Sequence, residues 1–327
     1  MEREEILQRF AELRESLRSR SPELAMEISD LESRFASNNI ENDAWQRVQI
    51  ARTGDRPGTL DYIAKISESY MELHGDRTYG DDKAIVGGIA VIDGVPMTFI
   101  GHQKGRNLRE NMQRHYGMGS PEGYRKALRL AKQAEAHGRP VITFIDTSGA
   151  YPGLESEERG IGEAIAVNLR EFSVLRAPII NFVIGEGGSG GALGIGVGDK
   201  LYMLENAVYS VISPEGFASI LLRDSTKAEY AASLMKMTAK DIADFGIVHG
   251  IIPEVAGGAH LDPDYTAREI KKVIIRDYGA LQSNDYEKLV RYRSRKLRDM
   301  GRFSEKSTRE DLFGLFSRIP WLKNRNT

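Results

Sequence analysis

Pro178-Ile179-Ile180-Asn181-Phe182-Val183-Ile184-Gly185-Glu186-Gly187-Gly188-Ser189-Gly190-Gly191-Ala192-Leu193-Gly194-Ile195-Gly196-Val197-Gly198 decides how the rest of this 327-residue chain is read. An apolar run of strand length, opened by a proline, feeds a glycine cluster and then a small-residue segment that forms a tightly packed helix. Such a junction exposes backbone N–H groups. Glycines lack the Cβ that would keep a ligand off the main chain, and the first turn of a helix has unpaired donors and partial positive charge. Its natural guest is an anion or an oxyanion.

Immediately upstream, Ser120-Pro121-Glu122 opens a helix that runs to Gly138, and 141–145 is a strand. The loop Asp146-Thr147-Ser148-Gly149-Ala150-Tyr151-Pro152-Gly153 follows, then a helix over 157–175 with Ile161, Ile165, Leu169 and Phe172 inward. Strand-helix-strand alternation with short connections predicts a parallel sheet covered by helices, with ligands at the carboxyl ends of the strands. Loops 146–153 and 185–191 both lie at such ends and are expected to face one crevice.

Further out, Asp93-Gly94 joins two β-rich runs, 84–92 and 95–100, as a hairpin that leads into the basic loop Gly101-His102-Gln103-Lys104-Gly105-Arg106. Thr59 caps a helix with Leu60, Ile63, Ile66, Tyr70 and Leu73 on one face, ending at Gly75, and 45–58 reads as a polar connection. At the start, Ile6, Phe10, Leu13 and Leu17, then Leu24, Ile28, Leu31 and Phe35, follow helical spacing on either side of Ser21-Pro22. That is a helical hairpin over 1–40. Downstream come strands at 201–204 and 208–212, a helix opened by Ser213-Pro214-Glu215, and helices over 227–237 and 239–245. A turn and strand at 246–253, a helix at 263–281 and an arginine-rich helix at 285–300 precede a tail, 301–327. One α/β unit over 41–300 is expected.

Composition excludes several classes. The chain has 45 Lys and Arg against 47 Asp and Glu, so anion recognition must be local rather than global. It has no Cys, which removes disulfides, thiolate zinc sites and a cysteine nucleophile. Six His residues show no paired metal-binding spacing. No apolar run approaches the roughly 18 residues that span a bilayer, and a soluble cytoplasmic protein is expected.

Several motifs admit rival readings. Gly187-Gly188-Ser189-Gly190-Gly191 satisfies G-x-S-x-G, yet an elbow serine stands almost at the strand end, and three loop residues are expected to intervene here. Neither His249 nor His260 sits in a context that marks a base. As a dinucleotide fingerprint the glycines follow the wrong strand and lack an acidic partner downstream. A packing-only role for the glycines remains open. Met235-Lys236-Met237 copies the tripeptide of biotin-accepting domains, but its flanks read as helix rather than hairpin. Lys288, Arg291, Arg293, Arg295, Lys296, Arg298 and Arg302 form a basic face that suits nucleic acid or, more simply, solvent or a subunit. Glu186 is the one acid inside the glycine run that a hydratase or isomerase could use.

The stretches Gly101 to Arg106, Pro121-Glu122-Gly123-Tyr124-Arg125-Lys126-Ala127-Leu128-Arg129-Leu130, the loop after Ile145, Gly185 to Leu193, and Tyr209-Ser210-Val211-Ile212-Ser213-Pro214-Glu215-Gly216 together resemble one family. It is the alpha-subunit family of the carboxyltransferase component of bacterial and plastid acetyl-CoA carboxylase, within the crotonase superfamily. The resemblance spans about residues 40 to 300; Ser148 stands where the family's loop has proline, and the tail is not family-typical. It implies a crotonase-like fold of repeated β-β-α units around a parallel sheet, with an N-terminal helical hairpin and C-terminal helices. It also implies transfer of a carboxyl group from carboxybiotin, borne on a separate carrier protein, to acetyl-CoA, giving malonyl-CoA for fatty-acid synthesis. Two oxyanions arise, one on the biotin ureido oxygen and one on the acetyl enolate. By the resemblance, Gly190 and Gly191 are the principal backbone donors, with Gly149 and Ala150 opposite, and Gly187, Gly188, Ser189, Tyr151 and Lys104 contact substrate. Biotin is not attached to this chain, and no metal belongs to it. A zinc-containing beta subunit, a biotin carboxyl carrier protein and a biotin carboxylase are the implied partners, the two transferase chains forming a heterotetramer. Nucleic acid and membrane are not among them.

Overall fold

The computed structural model describes residues 3–17, 24, 28, 44–282 and 285–301. Eight strands form one sheet: β1 (Ser69–Glu72), β2 (Ile85–Ile92), β3 (Val95–His102), β4 (Val141–Thr147), β5 (Ile179–Gly188), β6 (Lys200–Leu204), β7 (Val208–Ser210) and β8 (Gly250–Ile252). Their order is β1-β2-β3-β4-β5-β6-β8, with β7 beside the far end of β5. The first two pairings are antiparallel and every later one is parallel. The expected parallel sheet is therefore present, with the Asp93-Gly94 hairpin at one side.

Registry is visible in an aromatic row. Phe144 pairs with Phe182, and Phe182 with Tyr202, across neighbouring strands. Their rings, with Phe99 added, stand 5.9, 5.7 and 5.6 Å apart in succession. A one-residue slip of β5 would turn Phe182 out of this row. Helix Thr59–Ile66 packs on this row through Tyr62, whose ring is 5.9 Å from Phe144, while helices Pro121–Ala136 and Ile161–Val174 bury Tyr124, Ala127, Leu130, Ile161 and Phe172.

Local readings changed in several places. The 45–58 connection contains a helix, Ala44–Ala51, whose Val48 and Ala51 are buried with Val208 and Met237. The helix expected to be capped by Thr59 is capped by Gly58, with Thr59 as its first residue, and it stops at Ile66; Tyr70 lies in β1. Tyr70 and Leu73 fit helical spacing, but pairing with β2 satisfies the Ser69–Glu72 backbone as an edge strand. The helix expected over 157–175 is two pieces, Leu154–Glu158 and Ile161–Val174, because Gly160 adopts a left-handed φ of 79°. Of the N-terminal hairpin, Arg3–Leu17 is a helix; its second arm, apart from Leu24 and Ile28, and the tail beyond 301 lie outside the described residues.

The basic helix, Tyr286–Asp299, is not simply a charged surface. Arg293 has no exposed side-chain area and forks onto Asp199 at 2.7 and 2.9 Å. It also donates to the carbonyls of Phe172, Leu175 and Ala177 at 2.8 Å. That removes the central cation from any nucleic-acid face. Lys236 ends the helix Ala228–Met235 in a left-handed conformation, so the biotin-like tripeptide is a helix terminus and not a hairpin tip.

Candidate functional site

The glycine stretch is not a loop. β5 continues through Gly188 because β4 and β7 pair with its distal half: Thr147 faces Gly187, while Val208, Tyr209 and Ser210 face Glu186, Gly187 and Gly188. The helix Ser189–Gly196 then begins at once, Ser189 making the turn at a φ of 49°. The expected intervening loop residues are absent, which removes one objection to a nucleophilic serine. The other stands, since Ser189 has no hydrogen-bonded base among the described residues. His249 receives the amide of Leu201 at the opposite end of the sheet, and His260 lies against Gly258.

Most of these glycines are required by packing. A Cβ on Gly187 would overlap the Tyr209 ring, one on Gly188 the Ser148 carbonyl, and one on Gly194 the Tyr124 ring. A Cβ on Gly191 would overlap the Gly149 carbonyl carbon and lie 2.6 Å from the Ala150 nitrogen. The two junctions are thus in direct backbone contact, as expected. Gly190 and Gly149 are different: the nearest group to a Cβ on Gly190 is Ile165 at 3.8 Å, and nothing lies within 4 Å of one on Gly149. Packing explains their neighbours but not these two.

The amides of Ser189, Gly190 and Gly191 precede the first i to i−4 bond of their helix, so the helix gives them no acceptor. In the facing loop, the Gly149 N–H is 3.2 Å from the Thr147 hydroxyl, which itself donates to the Gly149 carbonyl at 2.6 Å. The Tyr151 amide donates to Gly119 at 3.0 Å, and its ring stacks on His115 with centroids 3.9 Å apart. Tyr151 is therefore a clasp for the loop. Ser148 has an exposed side chain and places its carbonyl against Gly188, so the loop presses on β5 with serine in that position.

A buried phenol braces the helix start, and a buried imidazole lies in the preceding basic segment. Tyr124 donates to the Gly191 carbonyl at 3.2 Å, and burial pushes its phenol far above the usual range. His102 is wholly buried, and burial first, then the charge of Lys104, lowers its pKa to about 3, so the ring is neutral.

Beside the junctions lies a cavity of about 340 Å³ bordered by Arg52, Arg56, Lys104, Arg106, Asp146, Ser148 and Glu186 among others. The Lys104 ammonium sits 2.7 Å from Asp146 and 2.9 Å from Glu186. Arg52 holds Glu186 and Glu215, each at 2.7 Å. Arg106 pairs with Asp61, and Arg56 with Glu254. Burial alone would raise the Glu186 pKa, but Lys104 and Arg52 outweigh it and hold the carboxylate below its usual range. A pinned, ionised carboxylate is a poor proton shuttle, which counts against the hydratase or isomerase reading. Arg52, Asp146 and Glu186 as a set went unrecognised in the sequence. Their signal was there: Lys104, Asp146 and Glu186 each stand where an apolar strand ends, at the same edge of the sheet.

An α/β sheet with two touching backbone junctions at its carboxyl edge is a crotonase-like fold, and solved structures share it. Transcarboxylase 12S, with methylmalonyl-coenzyme A bound, aligns at a TM-score of 0.55 and 22% identity over 68% of this chain and 42% of its own. A Pseudomonas malonate decarboxylase hetero-tetramer in complex with coenzyme A aligns at 0.52 and 21% identity over 74% of this chain and 98% of its own. The model for acetyl co-enzyme A carboxylase carboxyltransferase-like chains matches residues 2–301, and the chain belongs to that family. The acetyl-coenzyme A carboxylase carboxyl transferase subunit alpha of Treponema denticola is 59% identical over 86% of this chain and 93% of its own. That of a Geobacillus species is 52% identical over 94% and 96%.

Proposed function

We infer that this chain is the alpha half of an acetyl-CoA carboxylase carboxyltransferase and that its junction pair serves the biotin side of the reaction. The observation that carries this is the contact of Gly191 with Gly149 and Ala150, which leaves Gly190 and Gly149 open beside a charged cavity. Carboxylated biotin on its carrier protein supplies the carboxyl group that passes to acetyl-CoA to form malonyl-CoA. The cavity's volume of about 340 Å³ is within the usual range for small-molecule sites, and two residues of its lining, Ser148 and Glu186, directly adjoin the glycine-bearing segments. The amides of Gly190 and Gly191, with those of Gly149 and Ala150 opposite, stabilise a developing oxyanion without exchanging a proton. Each such donor contributes about 2.7–4 kcal/mol in comparable sites. Gly187, Gly188, Ser189 and Tyr151 shape the approach, and Lys104 lines the cavity.

Residues 41–300 form the reacting unit in this reading, with 1–40 and 301–327 as appendages. The acyl-CoA half and any zinc belong to a beta subunit; a biotin carboxyl carrier protein and a biotin carboxylase complete the cytoplasmic assembly. Mixing the purified chain with a beta subunit tests this directly. Malonyl-CoA-dependent carboxylation of free biotin is expected in the mixture only, and the same activity in the lone chain would sink the subunit assignment.

A further inference from the structure

Lys104 makes a contact pattern unlike that of a substrate ligand. Its ammonium stands between the last charged residues of two neighbouring strands, Asp146 at 2.7 Å and Glu186 at 2.9 Å. Asp146 directly precedes the loop that bears Gly149 and Ala150, and Glu186 precedes the glycines and helix start that bear Gly190 and Gly191. Both carboxylates are nearly enclosed, with side-chain exposures of 10% and 12%. They are also close together, since both lie within reach of one ammonium, and an Asp146 oxygen accepts the Glu186 backbone amide at 3.0 Å. Two like charges so placed repel unless a cation lies between them. Gly185 shows how tight the arrangement is, because a Cβ there would overlap the Asp146 carboxylate.

We propose that Lys104 is a positioning residue: its ammonium is the strut that holds the two amide-bearing junctions at their working separation. The proposal rests on the carboxyltransferase reading for its kinetic consequences, but not for its structural ones. Arg52 extends the strut outward through Glu186 to Glu215, tying the helix Ala44–Ala51 and the segment from Pro214 to the same point. The cation set facing the two carboxylates is Lys104, Arg52 and Arg56, with Glu254 behind Arg56. Arg106 borders the same cavity and is held by Asp61.

Removing the ammonium leaves Asp146 and Glu186 facing each other with Arg52 as the remaining partner of Glu186. Replacing Glu186 by its neutral isostere relieves that repulsion. A displacement on the order of 1 Å at a reacting centre lowers turnover by about 100-fold. Lys104→Met in the complex with the beta subunit is accordingly expected to lower kcat by about 100-fold with KM for biotin nearly unchanged. Lys104→Met/Glu186→Gln should turn over faster than Lys104→Met alone, a coupling that a double-mutant cycle reads directly. A raised KM at normal kcat would make Lys104 a substrate contact, and a double variant no better than the single one would remove the repulsion; either overturns the proposal.

Hydrogen exchange on the full-length chain by mass spectrometry separates this from the function itself. Lys104→Met is expected to speed exchange in peptides covering 146–153 and 185–191 together, with the rest of the sheet unchanged. If that variant does not fold, Glu186→Gln carries the test, because it breaks one end of the strut while leaving 146–153 unaltered in sequence. Unchanged exchange in 146–153 would overturn the strut. Coupled exchange in a chain whose wild-type complex transfers no carboxyl group would uphold the strut and overturn the proposed function.

Discussion

The two ends of the parallel strands use the same chemistry to different ends. At the amino end, Arg293 and Asp199 form an ion pair with no exposed side-chain area, and Asp199 also accepts the Ile179 amide at 2.8 Å where β5 begins. At the carboxyl end, Lys104 pairs with Asp146 and Glu186 but keeps 26% of its side chain exposed on a cavity. The dry pair ties a C-terminal helix to the sheet. The wet one stands beside a helix start and two glycines with open faces. Water access, rather than charge, distinguishes the structural end from the working end: a buried pair with every donor satisfied has nothing left to offer a ligand.

Breaking the dry end should cost the most. Arg293→Met leaves Asp199 buried without its partner, and a loss of about 3–5 kcal/mol is expected, read as a lower denaturant midpoint. If stability falls by less than about 1 kcal/mol, the pair is not the tie described here. Gly191→Ala at the working end comes next. Its Cβ meets the facing loop's backbone, so about 1–3 kcal/mol of stability and nearly all turnover should be lost together. Gly190→Val sharpens the contrast, because the first added carbon meets only Ile165 at 3.8 Å. Turnover should fall by about 100-fold or more while the melting temperature stays within a few degrees, and retained activity would show that no reacting group approaches the open face of Gly190. Ser189→Ala should have the smallest effect, keeping most of the activity; complete loss would reinstate a serine nucleophile.

Much of this was legible in the chain. Strand positions, the Asp93-Gly94 turn and the long helices followed from hydrophobic period and caps, since those signals are local. So did the expectation that two glycine junctions meet, because parallel topology sends successive strand ends to one edge. What failed were short elements whose state depends on a distant partner. Tyr70 fits a helix by spacing and becomes a strand only because β2 offers it hydrogen bonds. Gly185 to Gly188 looked like loop and stayed extended because Val208 to Ser210 pairs alongside. Arg293 looked like surface charge until Asp199, 94 positions away, enclosed it.

The stretch from Pro178 to Gly198 thus determined by itself that a strand would run into glycines and a helix start able to receive negative charge. Glycine content and apolar period are intrinsic to it. The tertiary structure alone decided which glycines serve packing and which face open space, for that depends on what Tyr209, Ser148, Tyr124 and Gly149 bring against each one. It alone also decided that Lys104, Asp146 and Glu186 stand together, since three strands distant in sequence share an edge only once the sheet has formed.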